Sequence, residues 1–160
     1  MTHSDVHTSP TEQAKPTLGW REWITLPELN ITHIKAKIDT GARSSALHAF
    51  AIEPYRKAGQ RWVMFAIHPQ QNNTDIIIEC HAPIKDRRMV SDSGGHKQRR
   101  YVIETPLLLG SAIISAEMTL TNRDSMLFRM LIGRTTLNDR FMIDPSASYC
   151  QGKPKPPSTL

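Results

Sequence analysis

The sequence is poor in the features that most often announce a function. It has no apolar run long enough to span a bilayer, and its start lacks the basic-then-apolar pattern of a signal peptide. A membrane is therefore not an expected partner, and a cytoplasmic location is the expectation. Only two cysteines occur, Cys80 and Cys150, too few for a disulfide framework, and they read as buried or bystander thiols. Seven histidines are present, but no H-E-x-x-H, C-x-x-C or paired-histidine spacing. Cys80 and His81 are neighbours in a predicted strand and should face opposite ways. The spacing of His33, His48, His68 and His96 does not argue for convergence, so neither a metal nor any other cofactor is expected. A phosphate-binding G-x-x-x-x-G-K-[ST] loop is missing, which speaks against ATP use. An aromatic–basic RNA motif is missing too, which makes nucleic acid an unexpected partner.

What is there is a basic chain of 160 residues with a formal net charge of +5 and 39% hydrophobic composition. That suffices for one domain with a real core, and the charge favours an anionic partner. Residues 1–17 hold no aromatic and one large aliphatic, Val6, and are expected to be a disordered leader. Residues 151–160, QGKPKPPSTL, read as a flexible tail, which leaves 18–150 as the folded domain.

Within it the patterning is that of strands. HIKAKID (33–39) sets Ile34, Ala36 and Ile38 against His33, Lys35 and Lys37, the period of two expected of a strand with one wet face. ALHAFAIE (46–53) and RWVMFAIH (61–68) flank RKAGQ and predict a hairpin. Residues 75–80, 99–105, 115–121 and 126–132 have strand-like composition. Only RTTLNDRF, after Gly133, reads as a helix. The segment 84–100 breaks the rhythm: Ser91-Asp92-Ser93-Gly94-Gly95 is turn chemistry flanked by Lys85, Arg87, Arg88 and Lys97, Arg99, Arg100. It reads either as a solvated hairpin tip or as a cationic flap over a site.

One junction stands out. In AKIDTGARSSALHA (36–49) an alternating strand ends in a carboxylate, turns through Thr-Gly-Ala and resumes. Gly41 allows a tight turn and bares an N–H, which can fix the Asp39 carboxylate in one orientation. Thr40 adds a hydroxyl that can brace the loop. Alone the tripeptide is compatible with a simple turn. It gains weight from MLIGRTTL (130–137), aliphatic residues followed by Gly-Arg and a helix. Together these blocks resemble the retropepsin-type aspartic peptidases. With GWREWITLPEL, RRYVIETPLLLG, TNRDSMLFRMLIGRTTL and FMIDPSASY, the chain is similar over nearly the whole folded region to a bacterial branch associated with the RimK ligase. That branch is of RimB type and is often labelled an ATP-dependent zinc protease.

The resemblance implies a mostly-β, closed retropepsin-like barrel with a flap hairpin and one short C-terminal helix. It implies an aspartic endopeptidase that works as a homodimer and trims oligoglutamate tails from a ribosomal protein. Carried over, Asp39 is the catalytic carboxylate, Thr40 links to the symmetry mate's loop, and Gly41 offers its N–H to the carboxylate. Gly133 and Arg134 form a supporting corner, and the flap tip falls at Ser93, Gly94 and Gly95. Asp92-Ser93-Gly94 follows too little apolar sequence to be a second catalytic loop, Asp144 precedes Pro145, and the chain is too short for two lobes. The dyad therefore requires two chains. An acidic peptide or oligoglutamylated protein as substrate calls for cations beside the dyad. Arg43 is near by chain geometry, and Arg87 and Arg88, with Arg99 and Arg100, flank the flap. The alternatives are a non-catalytic β-barrel module that binds acidic partners or nucleic acid, and a zinc-dependent hydrolase.

Overall fold

The computed structural model describes residues 15–91, 94–122 and 127–155. Its strands, in chain order, are β1 (Thr17–Leu18), β2 (Arg21–Leu26), β3 (Ile31–Ile38), β4 (Ser45–His48), β5 (Phe50–Lys57) and β6 (Gln60–Ile67). They continue with β7 (Ile78–Pro83), β8 (Asp86–Ser91), β9 (Lys97–Leu109), β10 (Ala112–Thr121), β11 (Met130–Ile132) and β12 (Met142–Ile143). A 3-10 turn, Pro27–Leu29, follows β2, and the helix α1 spans Arg134–Leu137. The expected mostly-β barrel is present. Strands β10, β4, β11, β3, β2 and β9 pair in that order, and β9 pairs back to β10, closing a six-strand ring. Ile24, Ile34, Leu47, Ile103, Leu107, Met118 and Met130 are among the residues sealed inside. Among the described residues no helix is long and apolar enough to cross a membrane.

The extent of individual elements follows local chemistry. The 46–53 run divides at Ala49, whose N–H bonds Thr121 on the barrel (2.9 Å). The chain then leaves for a separate three-stranded sheet, β5-β6-β7, through a register shift beside Ala51, which has φ 52°. The β5–β6 hairpin closes between Lys57 and Gln60, with Ala58 at φ 52° and Gly59 at φ 79°. Two positive φ values in a two-residue loop match the right-handed twist of the flanking strands. The segment 75–80 contributes strand only from Ile78 onward, and the described part of 126–132 only from Met130 onward. The expected helix is a single turn, stopped where Asp139 takes φ 65°.

Residues 84–100 do form a hairpin. β8 and β9 pair from Asp86↔Val102 to Ser91↔Lys97, so the arms extend past the point where β9 joins β10.

β2 is the strand that alternation hides. Its inward side chains are Glu22, Ile24 and Leu26, and Glu22 is fully buried. The carboxylate survives there because backbone donors surround it. Glu22 Oε2 accepts from Gly19 N–H (2.7 Å) and Cys150 N–H (2.9 Å), and Oε1 accepts from Gln151 N–H (3.1 Å). A buried carboxylate with this many donors is satisfied without a cation. This capture also joins the first and last described segments of the domain. The composition-based expectation placed residue 17 in a loose leader and 151–155 in a loose tail. Instead β1 pairs with β12, Gln151 Nε2 bonds Thr17 O (2.9 Å), and the Pro154 carbonyl meets His33 Nε2 (3.3 Å).

Glu22→Ala leaves three backbone donors without their acceptor, so stability should fall by about 3 kcal/mol or more. Glu22→Gln, which keeps one oxygen, should lose about half as much. Urea unfolding of the three proteins checks the order.

Candidate active site

Asp39 lies one residue beyond β3, where the chain must stop pairing. Its N–H still reaches Ile132 O (2.9 Å), which holds the loop to β11. β11 runs parallel to β3 (Met130↔Ala36, Ile132↔Ile38) and antiparallel to β4. It is thus threaded between the two strands that the Asp-Thr-Gly turn connects. Within the turn, Gly41 N–H donates to Asp39 Oδ1 (2.9 Å) and Ala42 N–H to Asp39 O (3.2 Å). The half-buried carboxylate is thereby oriented by the glycine two residues on.

The corner after β11 takes the loop's remaining acceptors one by one. Arg134 Nη1 donates to Thr40 O (3.2 Å) and Gly41 O (3.1 Å). Arg134 N–H donates to Ala42 O (2.8 Å) and Thr135 N–H to Arg43 O (3.1 Å). Beneath them Gly133 N–H donates to Ser45 Oγ (3.1 Å), which shares a hydrogen bond with Thr136 Oγ1 (3.0 Å). Gly133 is extended, so φ does not demand glycine there. Close approach does: a Cβ would lie 2.6 Å from the Ser44 carbonyl carbon and oxygen and 2.9 Å from Ala42 O.

In front of Asp39 opens a cleft of about 1000 Å³. One wall is the loop with Arg43, another is the β8 arm of the hairpin with Arg88 and Ser91, and β10 supplies Glu117 and Thr119. Arg43 and Arg88, singled out from the sequence, do share this cleft with Asp39. Arg87 does not. Adjacent strand residues face opposite ways, and its guanidinium lies 5.2 Å from the Tyr101 ring centroid instead. Gly94 and Gly95 sit in the hairpin turn, Gly95 at φ 83°, and do not line the cleft. Ser93 lies outside the described residues. Thr40 is exposed beside Gly41.

The cleft's cations are unequally engaged. Arg88 bonds Glu117 (2.8 Å) and Asp86 (2.7 Å), while Lys85 bridges Glu104 and Glu117 (2.8 Å each). Glu104 and Glu117 are direct cross-strand partners, a like-charge pair that would repel without the lysine. Arg88, then Lys85, holds the Glu117 carboxyl below its ordinary range. Lys85, then Ser115, does so for Glu104, and Arg88, then the Arg87 N–H, for Asp86. Arg100 is buried in the wall, with Nε on Gln98 (2.9 Å) and Nη1 on Thr119 Oγ1 (3.3 Å). Among the described residues Arg43 has no acidic partner. The sequence reasoning missed Ser45, Thr136 and Glu117; the first two are marked only as hydroxyls inside apolar surroundings. Among the described residues no cluster of three or more His, Cys, Asp or Glu could hold a metal.

A six-strand barrel that threads a short strand past an Asp-Thr-Gly loop, backed by a Gly-Arg corner, is retropepsin-like. The chain belongs to the RimB-like family of retropepsin-like aspartic endopeptidases, whose model matches residues 17–154. It is 43% identical over 136 residues to a probable alpha-L-glutamate ligase of Shewanella pealeana. A protein of the same name from Desulfotalea psychrophila is 41% identical over 140 residues. These matches cover 85% and 88% of this chain, which spans only about 30% of the length of either relative. The crystal structure of Lpg0085 from Legionella pneumophila, described as of unknown function, is similar with a TM-score of 0.71 and 25% identity. That match covers 85% of this chain and 98% of the other.

Gly133→Ala should displace the 42–44 backbone and cost about 1–3 kcal/mol, seen as a lowered thermal midpoint. The hairpin ion pairs give a pH signature. Their carboxyl pKa values are lower in the folded state, so the stabilisation is full at neutral pH. It is lost as pH falls below the ordinary values of 3.8–4.5. Hydrogen exchange in β8, corrected for intrinsic rate, should lose protection there before the barrel core does.

Proposed function

We propose that two copies of this chain assemble as an aspartic endopeptidase whose Asp39 residues meet on a twofold axis, acting in the cytoplasm on oligoglutamate tails. The observation that carries this is the orientation of the Asp39 carboxylate at the mouth of a cleft that also holds Arg43. A single oriented carboxylate cannot serve as both acid and base. Two brought together share one proton, because both cannot ionise side by side. The ionised one takes a proton from a bound water as its oxygen attacks the peptide carbonyl. The protonated one gives its proton to the carbonyl oxygen, and collapse of the resulting diol, with proton return to the amine, releases both products. In that assembly Thr40, exposed next to the carboxylate, links to its counterpart's loop.

Substrate class follows from charge and from the relatives. Arg43, without an acidic partner among the described residues, is the cation most available to a substrate carboxylate. Arg88 must be shared with Glu117 and Asp86. Proteins named as probable alpha-L-glutamate ligases contain a segment similar to this chain, so a barrel of this kind is joined to glutamate-ligating chemistry in those organisms. A peptidase that removes α-linked glutamates would act on the product of such a ligation.

Incubation with an oligoglutamylated peptide tests this. Wild-type protein should cleave it with or without a chelator, and Asp39→Asn should lose about 10³-fold or more in rate. Inactivation by the chelator would favour a zinc hydrolase, and binding without cleavage by both proteins a non-catalytic module. Arg43→Ala should raise KM for acidic peptides about tenfold more than for neutral ones.

A further inference from the structure

A second cleft, of about 490 Å³, lies on the outer face of β2 and β3, and among the described residues none lines both it and the Asp39 cleft. Its floor is Trp23, half-buried and stacked on Tyr149 with ring centroids 5.6 Å apart. Two ammonium groups lie near that indole, Lys35 Nζ at 5.3 Å and Lys153 Nζ at 4.7 Å from its centroid. His33 lies on the same side, and its bond to the Pro154 carbonyl holds the segment that carries Lys153 in place. Among the described residues no Asp or Glu lines the cleft, and neither lysine forms an ion pair. The opposite side is amide and aliphatic, with Gln70, Gln71 and Ile76.

From this cleft the outward row of β3 leads toward Asp39. Alternation turns His33, Lys35 and Lys37 outward while Ile34, Ala36 and Ile38 are buried. Arg21 and Trp23 are the cross-strand partners of Lys37 and Lys35, so the outward face is cationic on both strands. Lys35 and Asp39 are four residues apart, about 13 Å along an extended chain. The outward residues repeat every about 6.7 Å, which is also the spacing of alternate side chains on an extended peptide. A run of glutamates lying along β3 can therefore present alternate carboxylates to Lys35 and Lys37 in turn. The aliphatic and amide wall suits glutamate methylenes and peptide groups.

We propose that the Trp23–Lys35–Lys153 cleft, with the outward row of β3, is an accessory site for the part of an acidic chain remote from the scissile bond. The occupant is an extended peptide rich in glutamate. This rests on the acidic-substrate reading given above. It adds a length dependence that the Asp39 cleft alone does not supply: chains too short to reach Lys35 gain nothing from it, and longer ones are held at two points.

The test uses the Asp39→Asn protein, so that binding is read without turnover, with end-labelled oligo-α-glutamates of about three and about twelve residues. Fluorescence anisotropy reads affinity. Lys35→Gln with Lys153→Gln should raise Kd for the long peptide about tenfold and leave the short one within about twofold. Lys35→Arg with Lys153→Arg, which keeps the charge, should restore the long-peptide affinity. In the wild-type background the Gln pair should raise KM for the long peptide and leave kcat unchanged. Equal Kd changes for both lengths, or none, would overturn the accessory site. So would stronger competition by inorganic polyphosphate or single-stranded RNA than by an equal charge of oligoglutamate. A wild-type protein that never cleaves, yet binds long peptides through Lys35 and Lys153, would sink the peptidase reading and leave this site standing.

Discussion

The structure depends on the capture of four successive carbonyl groups. Those of Thr40, Gly41, Ala42 and Arg43 all accept hydrogen bonds from Arg134 or Thr135. A surface loop would normally leave such acceptors to water and take several conformations. Here the acceptors are engaged by one rigid corner, and the corner is held to the barrel by β11. The Asp39 carboxylate, itself bonded to Gly41 N–H, inherits this rigidity. Chemistry that needs a carboxylate in one orientation gains by having that order built in before a substrate arrives. Gly133 is what lets corner and loop come close enough.

The electrostatics of the Asp39 cleft are partly self-contained. Of the basic residues near Asp39, Arg88 is committed to Glu117 and Asp86, and Arg100 to Gln98 and Thr119. These contacts brace the hairpin arm and the barrel wall, so part of the positive charge here is structural. The chain's overall basicity therefore says less about recognition than its distribution does. Among the described residues Arg43 in one cleft, and Lys35 and Lys153 in the other, have no acidic partner.

Much of the barrel was legible because alternation is a direct record of burial. β3 could be read to within two residues from Ile34, Ala36 and Ile38. The β5–β6 turn was legible from Ala58-Gly59. β2 was not, because its buried position carries Glu22, and a carboxylate counts as outward unless the donors around it are known. Those donors come from Gly19, Cys150 and Gln151, the last two far away in sequence. The candidate site was readable as motifs, Asp-Thr-Gly and Gly-Arg, whereas their mutual contacts are tertiary. Arg87 shows the opposite failure. As one of a basic pair it looked equivalent to Arg88, and only strand phase separates them.

The arrangement around Glu22 has an architectural corollary. Thr17 and Gln151, from the first and last parts of the described domain, are one hydrogen bond apart, and a shared carboxylate locks the neighbouring backbone. A domain whose first and last segments lie side by side can be accommodated within a larger protein as a cassette. Homologous segments within much longer proteins named as probable alpha-L-glutamate ligases are the kind of tandem that such a plug-like geometry permits.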